Sequence, residues 1–431
     1  MAPSIEVTSE VREPAPGPGK CVSRWQAYHD NGLRRLEGRS VTSESDYANE
    51  LYVHFSEDNG RTWGEWEDRH QATYRTQGDR EMIWSTPETG VYNPVHEHYV
   101  AINLQRVFLF DHHESYRRLW GAGEASFSDH SFLWVSADLK EWTHELVRYE
   151  EGEDFAEDDW SRTGYVGANE AYAGSNVAVL DDGDIVFPVG ANVAACCKIL
   201  GLDVQTVFPS CPQIMKGLIV VRGTWNAGTG RYELTPSKPT VITDLKSSRG
   251  VDEPTVIALK GGRLVVVFRG SNVISEAWKT RIQKGTPTHK WFTFSDDGGR
   301  SWAEPVPWHF DNGEVFYSPA TISRFLRSRR NGRAYWFGNV TGPEAYGNGP
   351  RYPLAMAEVD EDTGFLKRDT YTVIADRDPE SESDQVQLSN FSVLDDRETG
   401  RIELYVTRLG ANREDRWQSD AYRYFIEVPA G

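Results

Sequence analysis

The chain is 431 residues long and carries 46 basic against 65 acidic side chains, a formal net charge of -19. No apolar run approaches the roughly 18 residues of a membrane span, and so negative a field repels nucleic-acid phosphates, with Arg327, Arg329 and Arg330 the one tight basic cluster; neither a membrane nor a nucleic acid is an expected partner. Its 39% hydrophobic and 12% aromatic content, with 15 tryptophans, suits a globular chain with a large core rather than a disordered acidic tail.

Residues 1–20 are acidic and Pro/Gly-rich and lack the apolar core of a signal peptide. They read as an N-terminal extension in which Ile5 to Val11 forms a strand that closes against the last repeat; cytoplasmic residence and secretion after processing both stay open. Residues 21–431 show no linker and no shift in composition, so a single domain is expected. Short β-rich runs recur along it around Asp182-Gly183, Gly261-Gly262, Asn331-Gly332 and Thr399-Gly400, which supply the positive φ of tight hairpin turns. Six units are centred near residues 25–65, 92–142, 165–235, 251–302, 315–365 and 386–428, and no helical periodicity of eleven or more residues stands out. The expected class is all-β, a six-bladed β-propeller, a radial array without long exposed sheet edges.

A sharper motif sits inside three units. Ser56 to Trp63 and Ser295 to Trp302 both read S-x-D-x-G-x-[ST]-W, and Ser136 to Trp142 is a degenerate copy. In such a turn the Asp carboxylate caps backbone N–H groups, the Gly takes a conformation closed to other residues, and the Trp packs between strands. The motif is the Asp-box, and its role is structural.

Asp-boxes in a six-unit all-β chain resemble the sialidase (neuraminidase) superfamily of BNR-repeat proteins, from about residue 20 to about residue 408. The resemblance implies a sialidase-like propeller and an exo-acting glycoside hydrolase that removes a terminal acidic or modified sugar from a glycan, without cofactor or metal. In that family three arginines hold the sugar carboxylate, an Asp is acid/base, and a Tyr assisted by a Glu is the nucleophile. By order and spacing the resemblance points to Arg24, to Arg39 within Glu37-Gly38-Arg39, and to Asp46 as acid/base. The most specific match is Glu253-Pro254 through Gly262-Arg263-Leu264 to Arg269, a hairpin that places Glu253 and Arg269 at one end, where the pair would hold the carboxylate ionised. Arg351-Tyr-Pro-Leu354 matches the third arginine. The nucleophile departs from the pattern: the last unit has Leu388-Ser-Asn-Phe391 where the family has Tyr, and Tyr317-Ser318 lies one unit early. A neutral phenol suits attack beside a carboxylate. Its absence points to another sugar, to water activated by Asp46 or Glu253, or to recruitment of Tyr317.

Five of the 11 histidines, His96, His98, His112, His113 and His130, fall in one stretch, with His96-Glu97-His98 and His112-His113 expected at adjacent strand ends, and admit three readings: structural, metal-binding, or the base of a polysaccharide lyase acting on a uronate-containing glycan. A third class of function is a non-catalytic carbohydrate-binding propeller. Trp84, Trp120, Trp160, Trp278, Tyr317 and Tyr346 are candidate sugar-stacking residues. Cys21, Cys196, Cys197 and Cys211 make no disulfide framework, although a Cys211 bridge to Cys196 or Cys197 stands beside the reading of reduced thiols.

Overall fold

The computed structural model describes residues 5–78, 80–87 and 89–431. The chain is all-β, a six-bladed β-propeller, and its sheets are antiparallel. It gathers into two compact units, one of Met1–His70 with Trp308–Gly431 and one of Gln71–Pro307.

In the first unit, blade 1 runs through Cys21–Tyr28, Arg35–Thr42, Glu50–Ser56 and Glu67–Asp68 in consecutive order. Blade 5 comprises Arg324–Arg327, Ala334–Asn339, Leu354–Glu358 and Thr372–Ala375. Blade 6 comprises Ser392–Asp395, Ile402–Thr407 and Ala421–Glu427, and its outer position is taken by Glu6–Glu13, paired antiparallel with Ala421–Glu427.

The second unit holds the other three. Blade 2 is built on two long strands, His98–Phe108 and Phe127–Ser136; blade 3 on Ile185–Asn192 and Lys216–Asn226; blade 4 on Asp252–Ala258, Leu264–Arg269 and Lys290–Ser295. The central strands are buried on both faces: Ile185–Asn192 and Leu264–Arg269 are buried at every position but the last, so they read as continuous apolar runs rather than alternating ones. Their hairpins turn where the dipeptides predict, with Gly261 and Gly262 at φ 88° and 87°.

The repeated S-x-D motifs join Glu50–Ser56 to Glu67–Asp68, Phe127–Ser136 to Thr143–Leu146 and Lys290–Ser295 to Val306–Pro307. In blades 1 and 4 the geometry repeats atom for atom. Ser56 Oγ accepts from Gly60 N at 2.8 Å while Asp58 takes the N–H and hydroxyl of Thr62; Ser295, Asp297, Gly299 and Ser301 do the same. Trp63 and Trp302 each donate from Nε1 to the carbonyl of Gly60 and Gly299. These hydrogen bonds pull the Asp58 carboxyl down to about 2, the Thr62 backbone contributing most. Blade 2 keeps the turn with Leu139 at φ 62°.

One element departs from the expectation of no sizeable helix. His112–Ala122 is an 11-residue helix inserted between the long strands of blade 2, capped by Asp111 accepting from Glu114 N and ended by Gly123 at φ 69°. Its sole buried residue is Ser115, so it has no apolar stripe to reveal it. A second insertion, Val193–Leu200 in blade 3, starts at the Asn192 cap. Among the described residues no helix is long and apolar enough to cross a membrane.

Candidate active site

The chemistry-bearing cluster of the second unit lies where blades 2, 3 and 4 end their second strands and begin their first and third. In blade 4, Asp252 pairs in register with Arg269, and Arg269 with Lys290. The register shifts between Asp252 and Thr255, and the bulge carries Glu253 at φ 43°, a left-handed conformation that a side chain before proline adopts only under strain. Arg269 holds both acids, Nη2 at 2.9 Å from Asp252 Oδ2 and Nη1 at 3.1 Å from Glu253 Oε2. Arg249 Nη2 reaches the same Asp252 oxygen at 2.9 Å, and Lys216 Nζ lies 3.7 Å from the other.

Burial alone would push Asp252 up, but Arg269, Arg249 and Lys216 hold its carboxyl far below the usual range. Arg249 is less well answered. Burial and the neighbouring Arg269 charge lower its pKa, against the pull of Asp252 and Glu253. The Glu253 and Arg249 side chains keep 16% and 17% exposure, so the cluster is recessed yet open to solvent.

Blades 2 and 3 complete the recess. Arg106 forks onto Asp129 at 2.7 and 2.8 Å and donates to the Tyr116 hydroxyl at 2.9 Å. Lys216 Nζ stands 4.3 Å from the Tyr172 ring centroid, and Arg106 approaches the same ring at 5.9 Å. Half-buried Glu170 opens blade 3 just before Tyr172. Burial pushes its carboxyl up to about 7, with Asp129 adding, against hydrogen bonds from Ser128 and Asn192 and the charge of Lys216. The hairpin read from the sequence does bring Glu253 and Arg269 together. Glu170, Lys216, Arg249 and the Arg106–Asp129 pair join this cluster without any local motif that could announce them.

The first unit brings Arg24 and Arg39 together as cross-strand partners. Both are answered by the chain's own acids: Arg24 Nε donates to Glu13 at 2.5 Å and Nη1 to Glu37 at 3.3 Å, while Arg39 donates to Glu13 at 3.0 Å and Glu50 at 3.2 Å. Arg12 forks onto the fully buried Glu37, which also meets Gln26 and His54. Burial would raise Glu37, but Arg12 and Arg24, with His54 and Gln26, bring its carboxyl below the ordinary value. His54 stacks between Trp63 and Trp66 at 4.4 and 3.5 Å.

Asp46 stands exposed at φ 63° on the turn closed by the Glu44–Tyr47 bridge. Arg351 donates to Asn348 O and to Ser389 Oγ at 2.9 Å, so Ser389, in the stretch that departs from the expected Tyr, grips this arginine. Tyr317 is half-buried, bridged through its backbone to Thr341.

The histidines do not form one centre. His96 and His98 lie at the start of the strand that ends at Phe108, and His112 and His113 follow its other end, about 30 Å of extended chain away. His98 is buried on Trp225 and hydrogen-bonded to Tyr232 Oη at 2.8 Å; His130 is buried on Tyr165; burial depresses both to about 4. That separation corrects the expectation of adjacent strand ends. Of the stacking candidates, Trp84, Trp160 and Trp278 are buried, whereas Trp120 and Tyr346 are 43% and 54% exposed. All four cysteines are free and buried, so Cys211 forms no bridge.

No family model and no curated protein sequence matches the chain. Solved structures do. A protein of unknown function from Dyadobacter fermentans DSM 18053 is similar at TM-score 0.57 and 13% identity, over 99% of this chain and 100% of that one. The NanB sialidase from Streptococcus pneumoniae is similar at 0.51 and 9%, over 96% and 69% of the two chains. The intramolecular trans-sialidase from Ruminococcus gnavus is similar at 0.51 and 10%, over 94% of each. At these identities the likeness carries the architecture, a sialidase-like six-bladed β-propeller, and chemistry has to be argued from the side chains.

Proposed function

We propose that the chain is a glycoside hydrolase that releases a terminal acidic sugar from a glycan. The observation that carries this reading is the recess of the second unit, where Arg106, Lys216, Arg249 and Arg269 crowd around Asp129, Asp252 and Glu253 in a chain of net charge -19. With Glu170 protonated, the cations outnumber the carboxylates, which suits one sugar carboxylate. Glycoside hydrolysis needs one carboxyl to protonate the leaving oxygen and another to assist attack. Glu170, raised to about 7, suits the acid. Glu253, held on its bulge by Arg269, suits the base. Tyr172 stands among the same charges, but burial, with Glu253 adding, raises its phenol and opposes the phenolate form, so activated water is the nucleophile of this reading. The relatives in fold named sialidases support the substrate class by analogy.

The second reading keeps the acid/base assignment of the resemblance, Asp46, with Arg24, Arg39, Arg351 and Tyr317 as sugar ligands. What favours it is that Asp46 is exposed and has no side-chain partner among the described residues. Methyl and aryl glycosides of sialic acid, hexuronic acids and neutral sugars, assayed with Glu170→Gln, Glu253→Gln and Asp46→Asn, separate the two. Loss in the glutamine variants with Asp46→Asn active supports the recess; loss in Asp46→Asn with Glu170→Gln active supports the second reading. Turnover of neutral glycosides in preference to acidic ones would sink the anion argument.

A further inference from the structure

Trp120 is a large apolar side chain placed in water at the edge of the charged recess, and the fold is built to keep it there. It rides on the helix His112–Ala122, whose end is pinned by Cys211 and Gln213 of blade 3 and by Ala277 and Trp278, which lie between Leu264–Arg269 and Lys290–Ser295 of blade 4. A Cβ at Gly123 would come within 2.6 Å of Ala277 O and 3.0 Å of Cys211 Sγ, so only glycine lets the helix end approach so closely. Gln213 Nε2 donates to Gly123 O at 3.0 Å, and Trp278 Nε1 donates to Leu119 O at 3.1 Å. Beneath them Val193, Cys197, Phe208, Met215 and Trp278 form a small apolar core of their own.

Two neighbours define the setting of the ring. Trp278, 5% exposed, lies 5.2 Å away and tilted by 44°. The Arg249 guanidinium lies over the ring, 5.1 Å from its centroid, so the surface left to a ligand is the one that Arg249 does not cover. From there the contacts run without a break into the site: Arg249 to Asp252, Asp252 to Arg269, Arg269 to Glu253. Trp120 keeps 43% exposure while its neighbours are buried, and the C–H surface of a sugar ring is complementary to the aromatic surface of an indole. Trp84, Trp160 and Trp278 are buried and offer no comparable surface.

We propose that Trp120 is the platform for the leaving-group sugar, which makes an oligosaccharide, rather than a simple glycoside, the substrate of the recess. The proposal rests on the hydrolase reading above. The recess holds the acidic ring by its carboxylate, and the indole holds the next ring by stacking beside Arg249.

The test compares acidic disaccharides, sialyl and glucuronyl, with their methyl glycosides, which have no second ring to stack. Trp120→Ala is expected to raise KM for the disaccharide about tenfold relative to that for the methyl glycoside, with kcat kept within a few-fold, and Trp120→Phe to recover most of the loss. Equal shifts on both substrates, or none on either, would overturn the proposal. Lactose binding by titration calorimetry gives an arm independent of turnover: weaker binding in Trp120→Ala than in wild type and Trp120→Phe supports the platform, and unchanged or absent lactose binding rejects it. If the wild type hydrolyses no acidic glycoside, the hydrolase reading falls while the lactose arm still decides Trp120.

Discussion

Two charged networks invite comparison: Arg12, Arg24 and Arg39 with Glu13, Glu37 and Glu50 in the first unit, and Arg106, Lys216, Arg249 and Arg269 with Asp129, Asp252 and Glu253 in the second. In the first, each guanidinium meets a carboxylate of the chain, and Glu37 is fully buried at the centre. In the second, Arg249 is lowered by burial and by Arg269, Glu253 sits on a strained bulge, and Glu170 is raised to about 7. Satisfied networks fix a structure, and strained, unevenly charged ones are where binding and catalysis concentrate. The lesson is that arginines matched by order along a chain are told apart by what already answers them.

The largest effect should fall on turnover. Glu253→Gln is expected to lower kcat on an acidic glycoside by 10²- to 10⁴-fold, about 3–5 kcal/mol of barrier, with the urea midpoint nearly unchanged. A variant within threefold of wild type would remove Glu253 from the chemistry.

Glu37→Ala should do the reverse. It leaves Arg12 and Arg24 facing a hole where a buried carboxylate stood, and the expected loss is about 3–5 kcal/mol in urea unfolding. The remaining folded protein should turn over as before. Loss of activity without loss of stability would show that the first network is not merely architectural.

Acidity sharpens the contrast, because the two glutamates act in opposite directions. Glu37 has a depressed pKa, so its contribution is present above the ordinary value of 4.5 and is lost as pH falls through the folded one. Glu170 is raised from 4.5 to about 7, so the unfolded chain releases its proton first and stability falls as pH rises across that window. Relative to Glu170→Gln, the wild type should lose about 2–3 kcal/mol between pH 4.5 and 7. Its kcat/KM should fall above a midpoint near 7, with no such limb in the variant. A flat stability difference across that range would mean that Glu170 is not raised.

Much of the fold was legible because its signals are local: paired strands around Gly261-Gly262 or Asn331-Gly332, and the repeated turn whose Ser, Asp and Gly each make a defined bond. The helix His112–Ala122 was hidden despite its Asp111 and Gly123 caps, since its surface pairs, Glu114 with Arg117 and Arg118, leave no apolar period. Glu253 and Arg269 could be read from one hairpin. Glu170, Lys216 and Arg249 could not, because their proximity depends on the closing of separate blades, and no spacing along the chain encodes burial. Arg24 and Arg39 were visible too, and so was the N-terminal strand, but that the strand runs on past Val11 to set Glu13 against both arginines depends on the folded chain.

The smallest effect isolates the strain at the bulge. Glu253→Gln and Glu253→Gly both remove the charge facing Arg269, which keeps Asp252, and so they differ chiefly in the backbone. At φ 43° a side chain carries a penalty of about 1 kcal/mol that glycine escapes, although glycine also gives the unfolded chain more freedom. The expected order is therefore Glu253→Gly above Glu253→Gln by a few tenths to about 1 kcal/mol in urea unfolding, with both inactive. In the first network the same substitution should fail. Glu37 lies in a regular strand, where glycine only weakens pairing, so Glu37→Gly should be less stable than Glu37→Gln. If glycine proves worse at both positions, residue 253 is not held against its preference, and the bulge loses its claim to be a device of the site.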